Sequence, residues 1–141
     1  MSRNNVEARL RDVYTALNQG VDQALRDFLH PEFVYHAREE LPGGGSYRGL
    51  DILDRLAELR EIFREITFEP EEFIFSGRDV LVAVRGTGLG SGSGVPLDER
   101  LFHVWTIEGS KALALSIYGT RGEALEAVGL SEQDAADSSP D

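Results

Sequence analysis

Hydrophobic positions in the first half of the chain recur at helical spacing. The first such stripe has apolar residues three or four positions apart, namely Val6, Leu10, Val13, Tyr14 and Leu17. This spacing predicts an amphipathic helix that ends at Gly20. A second short helix is predicted before Pro31, because the residue preceding a proline is pushed out of the α region. A third helical pattern, with a broad apolar face, covers about residues 50–66.

The other hydrophobic segments are shorter and predict strands. They cover residues 33–37, 69–75 and 80–87, followed by a hairpin at 100–118 that turns at Gly109. Glycine supplies the positive φ that a tight hairpin requires, and the flanking aromatic and β-branched residues favour strands. The order of elements is typical of an α+β domain, with helices packed on one face of a mainly antiparallel sheet. Both hairpin strands are apolar on both faces, so we expect both faces to be covered.

Glycine and proline mark the loops, at residues 41–49 and 88–94. The 141 residues suit one compact domain, which we place at residues 1–130. Residues 131–141 are acidic and contain no large apolar side chain, so we expect a disordered tail there.

Composition excludes several classes of function. The formal charge of −11, with no local basic stripe, argues against a nucleic-acid partner. No apolar run is long enough to cross a bilayer and no leader pattern is present, so we expect a cytoplasmic protein without a membrane partner. Cysteine is absent, and the three histidines lack the close spacing of a chelating motif. We therefore predict no metal and no cofactor.

Five segments, in order, carry a resemblance to a known family. They read YTALNQG (14–20), FLHPEFVYH (28–36), YRGLDIL (47–53), HVWTIEG (103–109) and YGTRGEALEAVGL (118–130). Together they resemble the SnoaL-like branch of the nuclear transport factor 2-like superfamily. The resemblance implies a cystatin-like cone, in which three N-terminal helices pack on a strongly bent sheet around a pocket. It does not imply one activity, because this superfamily includes isomerases, polyketide cyclases, epoxide hydrolases, dehydratases and binding proteins.

The resemblance also suggests where a site would lie. In the steroid isomerases of this superfamily, a carboxylate near the end of the first strand abstracts a proton, and its position falls on His36. The isomerase tyrosine aligns with Val13, beside Tyr14, and the isomerase acid aligns with Phe102, beside His103. The aspartate of the cyclases and hydrolases would lie near Tyr118, where no carboxylate is present. These departures count against steroid isomerisation and against an aspartate-based hydrolase mechanism.

Two hypotheses remain open. The first is a pocket for a small, largely apolar molecule, with proton transfer next to a carbonyl as in an isomerase, cyclase or dehydratase. His36 would be the base and Tyr14, His103 or Tyr118 the donor, with walls from Val13, Leu53, Phe63, Phe102 and Tyr118. Arg85 could orient a carbonyl group.

The second hypothesis is a non-catalytic ligand-binding or dimerisation module. Under it, His36 and His103 are histidines that only satisfy local hydrogen bonds. The apolar hairpin further predicts a homodimer that buries the outer face of the sheet, because a lone exposed patch of that size would be unusual.

Overall fold

The computed structural model describes residues 2–38, 40–41 and 44–137. In these residues it contains five helices and six strands: α1 (Arg3–Asn18), α2 (Gln23–Phe28), β1 (Leu29–Ala37), β2 (Gly45–Arg48), α3 (Asp51–Ile62), β3 (Phe63–Ser76), β4 (Asp79–Gly90), β5 (Pro96–Glu108), β6 (Lys111–Tyr118), α4 (Arg121–Ala127) and α5 (Glu132–Asp137).

The six strands form one sheet in the order β2-β1-β6-β5-β4-β3. Strands β1 and β6 pair in parallel, while every other neighbouring pair is antiparallel. The parallel pair is possible because a long excursion, from β2 to β5, separates β1 from β6 in the chain. The predicted α+β class, with three helices at the N-terminal side of a mainly antiparallel sheet, is confirmed.

Element boundaries differ from the prediction in two places. Helix α3 ends at Ile62 rather than near residue 66, because Phe63 and Arg64 already pair with Gly90 and Leu89 of β4. The segment at 41–49 was expected to be all loop, yet its second half forms the edge strand β2, which pairs with β1. In both cases pairing with another strand overrides the local pattern.

Helix α1 packs its predicted stripe against one face of the sheet, which we call the inner face. Leu10 and Val13 are fully buried there. The side-chain amide of Asn18 accepts from the backbone N–H of Phe68 at 2.7 Å and donates to its carbonyl at 2.9 Å. Arg60 of α3 donates to Asp22 and to the carbonyl of Leu17. These bonds fix α1 and α3 over the inner face.

The opposite, outer face is covered by the C-terminal helices of the same chain. Ala124 and Leu125 of α4 pack on apolar outer-face residues, which are Ile74, Leu81, Ala83, Phe102 and Val104. Helix α4 begins at Thr120, whose hydroxyl accepts from the backbone N–H of Glu123. The C-terminal helices of the same chain therefore cover apolar residues of the outer face. The predicted homodimer assumed that this face would be exposed without a partner, and the structure corrects that assumption.

The start of the predicted tail also differs from expectation. Residues 132–137 form α5, and Ala135 is buried against the outer-face cluster. Ser131 caps this helix, since its hydroxyl accepts from the backbone N–H of Asp134. A small apolar residue and a capping box are enough to order this turn, although no large apolar residue is present. Residues 138–141 lie outside the described part of the chain.

Candidate functional site

A cavity of about 80 Å³ lies between the inner face and the helices α1, α2 and α3. Strand alternation places its walls, because successive side chains point to opposite faces of a sheet. Phe33 and Tyr35 of β1, and Leu101, His103 and Trp105 of β5, all line it. Apolar side chains from the helices close the other side, including Leu17, Leu25, Ile52, Leu56 and Leu59.

Three polar side chains of this wall form one hydrogen-bonded chain. Trp105 donates its indole N–H to the Tyr14 hydroxyl at 3.0 Å, and that hydroxyl lies 2.6 Å from Nδ1 of His103. An indole N–H can only donate, so the tyrosine oxygen accepts from Trp105. Among the described residues, the tyrosine proton has no acceptor other than Nδ1 of His103, so we place the proton on that bond. We therefore assign His103 as the tautomer with its proton on Nε2.

Burial keeps this polar chain neutral. It lowers the pKa of His103 to about 3, far below the ordinary value of 6.5. Burial also raises the pKa of Tyr14 well above its usual range, and the hydrogen bond from Trp105 opposes this only partly. His103 is thus an uncharged imidazole at neutral pH, and its Nε2–H donates to none of the described residues.

Aromatic packing fixes the orientation of the chain. The Tyr14 and His103 rings stack with centroids 5.8 Å apart, and the Tyr14 ring meets Trp105 edge-on at 6.2 Å. Phe28 lies 5.8 Å from Trp105 and Phe68 lies 6.4 Å from His103. Phe28 and Phe68 therefore hold the rings of Trp105 and His103 in place, and the Tyr14 ring contacts both of them.

Arg55 and Tyr35 supply the other polar groups of the wall. Burial raises the pKa of Tyr35 to about 12, although the positive charge of Arg55 pulls it down. Arg55 donates to Glu58, one turn along α3, at 2.8 Å. Neither residue was among the predicted site residues. The alternation of Phe33, Tyr35 and Ala37 in β1 is a signal that could have indicated that Tyr35 faces inward, whereas no sequence signal distinguishes Arg55.

His36 lies on the other face of β1, which corrects its expected place at the centre of the pocket. Its side chain is exposed, and Nδ1 lies 2.8 Å from the hydroxyl of Ser46 on β2. The reason is the register of β1. Since Phe33, Tyr35 and Ala37 face inward, the even-numbered Val34 and His36 must face outward.

Tyr118 and Phe102 are also outer-face residues. They are direct partners across β6 and β5, where Phe102 packs under α4. Phe102 precedes His103 in β5, and Tyr118 pairs with Phe102. Both side chains therefore point to the face opposite His103 and cannot line the same cavity. Arg85 is exposed and forms two hydrogen bonds to Asp98, at 2.9 and 2.7 Å. Its expected role toward a carbonyl is not supported by this position.

The remaining expected wall residues do not line the cavity. Val13 is fully buried on the sheet-facing side of α1, Leu53 is half-buried against the core and Phe63 is half-buried at the start of β3. Of the nine side chains expected at the site, the structure therefore brings two together around the cavity, Tyr14 and His103.

Among the described residues, no cluster of three or more histidine, aspartate or glutamate side chains is placed to hold a metal ion. None of the described helices is long and apolar enough to cross a membrane.

Comparison with known proteins agrees with this fold. No curated protein matches the sequence. An NTF2-like protein of unknown function from Burkholderia pseudomallei K96243 superposes with a TM-score of 0.72 at 20% identity, over 92% of this chain and 99% of that chain. A candidate SnoaL-like polyketide cyclase from Jannaschia sp. CCS1 gives 0.71 at 17% identity, over 84% and 88%.

A protein with a ketosteroid isomerase-like fold from Catenulispora acidiphila gives a TM-score of 0.70 at 16% identity, over 94% of this chain and 97% of that chain. Likeness at such identities establishes the NTF2-like fold and no particular activity. The family model of the SnoaL-like domain matches residues 10–114, well over half of the sequence. The chain therefore belongs to the SnoaL-like domain family, as the resemblance of its five segments predicted.

Proposed function

We propose that the cavity binds a small, largely apolar organic molecule through a carbonyl oxygen, which accepts a hydrogen bond from Nε2 of His103. The observation that carries this proposal is the chain from Trp105 through Tyr14 to His103 inside an apolar wall. In this series of hydrogen bonds Nδ1 of His103 is the acceptor, so Nε2 carries the proton and can donate. A neutral donor in a dry cavity matches a neutral acceptor such as a ketone.

The same geometry would assist proton transfer next to that carbonyl. When a proton leaves the carbon beside a carbonyl, negative charge develops on the oxygen, and a donor already in place stabilises this enolate. Surrounding apolar side chains strengthen the interaction, because they exclude water and lower the local dielectric constant. His103 would act here as the donor and Tyr14 as the group that fixes its tautomer.

A non-catalytic ligand-binding module is the second candidate, and one observation favours it. Among the described residues that line the cavity there is no aspartate or glutamate. His103 is a poor base at neutral pH, because burial lowers its pKa to about 3. Proton abstraction would therefore fall to water or to a basic group of the ligand itself.

Binding can be tested with acetophenone and with ethylbenzene, which lacks the carbonyl oxygen. Titrations followed by amide chemical shifts should show tighter binding of acetophenone by about 2-fold to 10-fold, the value of one neutral hydrogen bond. His103→Phe should remove this preference. His36→Ala, a histidine on the outer face, is the matched control and should keep it. Equal binding of both compounds by the wild-type protein would refute the carbonyl contact.

Catalysis can be tested on the same compound. In D₂O, the methyl protons of acetophenone next to the carbonyl exchange only if an enol or enolate forms. Exchange that is faster with the wild-type protein than with His103→Phe would support proton transfer. Binding without any acceleration would favour the non-catalytic module.

Two other expectations stay predictions, a homodimer and a cytoplasmic location. Because α4 and α5 cover the apolar outer face, a dimer through that face would have to bury the more polar part formed by β1 and β2. Sedimentation at micromolar concentration tests this. A monomer would rule out a stable dimer under those conditions.

A further inference from the structure

Arg55 is the one cationic side chain in the described wall of the cavity, and part of it has no acceptor. Its Nε atom is buried and makes no hydrogen bond to any described residue. The side chain as a whole is 20% exposed, and its terminal nitrogen Nη1 donates to Glu58. One edge of the guanidinium group is thus paired near solvent, while the Nε edge lies buried without a partner.

An unsatisfied charged donor is costly, because burial removes its hydration without supplying an acceptor. Glu58 does little to offset this, since its side chain is 59% exposed and exposed pairs along a helix interact weakly. No carboxylate among the described wall residues faces Arg55 from across the cavity. The missing acceptor is therefore most simply an anionic group that arrives with the ligand.

The position of Arg55 separates this group from His103. Its charge acts on Tyr35 of β1, and β6 lies between β1 and the strand that carries His103. Tyr35 pairs with Leu115 of β6, which pairs with Trp105 of β5, and His103 lies two residues further along β5. Two strand spacings and two residues along a strand separate Tyr35 from His103 by about 12 Å. One molecule could meet both groups if an apolar body separated its carbonyl oxygen from its acidic end.

We propose that the ligand is an organic acid, whose carboxylate is bound by Arg55 at the α3 side of the cavity while its carbonyl oxygen meets His103. This inference rests on the proposed function, because it names the class of molecule for the same cavity. Arginine suits this role, since its planar guanidinium presents paired donors to a carboxylate.

Benzoate and benzamide test the acidic end, because they have the same shape and differ in charge. At pH 7 the wild-type protein should bind benzoate about tenfold more tightly than benzamide, the effect of a charged hydrogen bond. Arg55→Met, which keeps an apolar stem, should lose that preference and still bind acetophenone. Arg85→Met removes an arginine from the outer surface and serves as the control, with the preference unchanged.

A direct signal guards against a variant that fails to fold. In the wild-type protein, the NMR signal of the Arg55 Nε–H should shift on addition of benzoate and should not shift with benzamide. Benzoate that binds no better than benzamide, or a preference that survives Arg55→Met, would overturn the proposal. Failure of the carbonyl contact appears separately, as loss of the difference between acetophenone and ethylbenzene, so the two proposals fail in different experiments.

Discussion

The two faces of this sheet are built from the same strands but are covered by different helices and in different ways. The outer face is covered by the chain's own C-terminal helices, whose Ala124, Leu125 and Ala135 belong to one buried cluster with Phe102 and Val104. The inner face is covered by longer helices that leave a cavity, with Tyr14 and His103 buried inside it. Close packing therefore stabilises the outer face, whereas the inner face keeps room and polar groups.

The difference separates packing residues from cavity-lining residues on one strand. Along β5, Phe102 and Val104 serve packing against α4, while Leu101, His103 and Trp105 line the cavity. Neighbours in sequence thus belong to different parts of the molecule. Substitutions on the outer face should affect stability alone, and substitutions on the inner face should affect stability, pH response and binding together.

The largest effect on stability should come from truncating a buried side chain that packs on the outer face. Leu125→Ala deletes a fully buried side chain of α4 and leaves a cavity over the sheet. We expect a loss of about 2–5 kcal/mol in the free energy of unfolding, measured by urea denaturation. The folded fraction should bind acetophenone as the wild-type protein does. Weaker acetophenone binding by the folded variant than by the wild-type protein would show that packing on the outer face affects the cavity on the inner face.

A smaller loss should follow from breaking the polar chain on the inner face. Tyr14→Phe leaves the Trp105 indole N–H and Nδ1 of His103 without their partner, which should cost about 1–3 kcal/mol. Tyr118→Phe is the matched control on the outer face, with an expected change below about 0.5 kcal/mol. Equal losses of stability for the two tyrosine variants would show that the hydrogen bonds from Trp105 through Tyr14 to His103 add no specific stability.

Acid should reveal the inner face through His103. Its pKa is about 3 in the folded protein and about 6.5 when unfolded, so between these values only the unfolded chain takes up the proton. Stability should fall as pH drops through this window, by at most about 1.4 kcal/mol per pH unit. Acidic side chains also titrate there, so the wild-type protein must be compared with His103→Phe.

The variant should show a shallower fall between pH 6.5 and pH 4, in urea denaturation series at each pH. Parallel curves for the two proteins would show that His103 does not remain neutral on folding.

The smallest effect is expected at His36. His36→Ala removes an exposed side chain and its contact with Ser46, so stability should change by less than about 0.5 kcal/mol. A marked loss of ligand binding in this variant would place the binding site on the outer face. It would contradict the division between an outer face that serves packing and an inner face that holds the cavity.

Much of the fold was predictable because it depends on periodicity. The stripe of α1, the hairpin around Gly109 and the α+β class all follow from spacings of apolar residues, and the structure bears them out. Boundaries such as the end of α3 were less predictable, because pairing of β3 with β4 decides them. The site was predictable only in part. Tyr14 and His103 were named, while Arg55 carries no local signal that marks it as a wall residue.

From the sequence alone follow the family, the strand segments other than β2, and the polar residues from which a site could be made. Alternation even contained the facing of His36, since Phe33, Tyr35 and Ala37 define the buried side of β1. Tertiary structure alone decided which polar groups meet. Tyr14 and His103 are 89 positions apart and Tyr14 and Trp105 are 91 apart, and only the docking of α1 on β5 brings them within hydrogen-bonding distance. Such contacts depend on the exact approach of two distant elements, and a local pattern does not encode that approach.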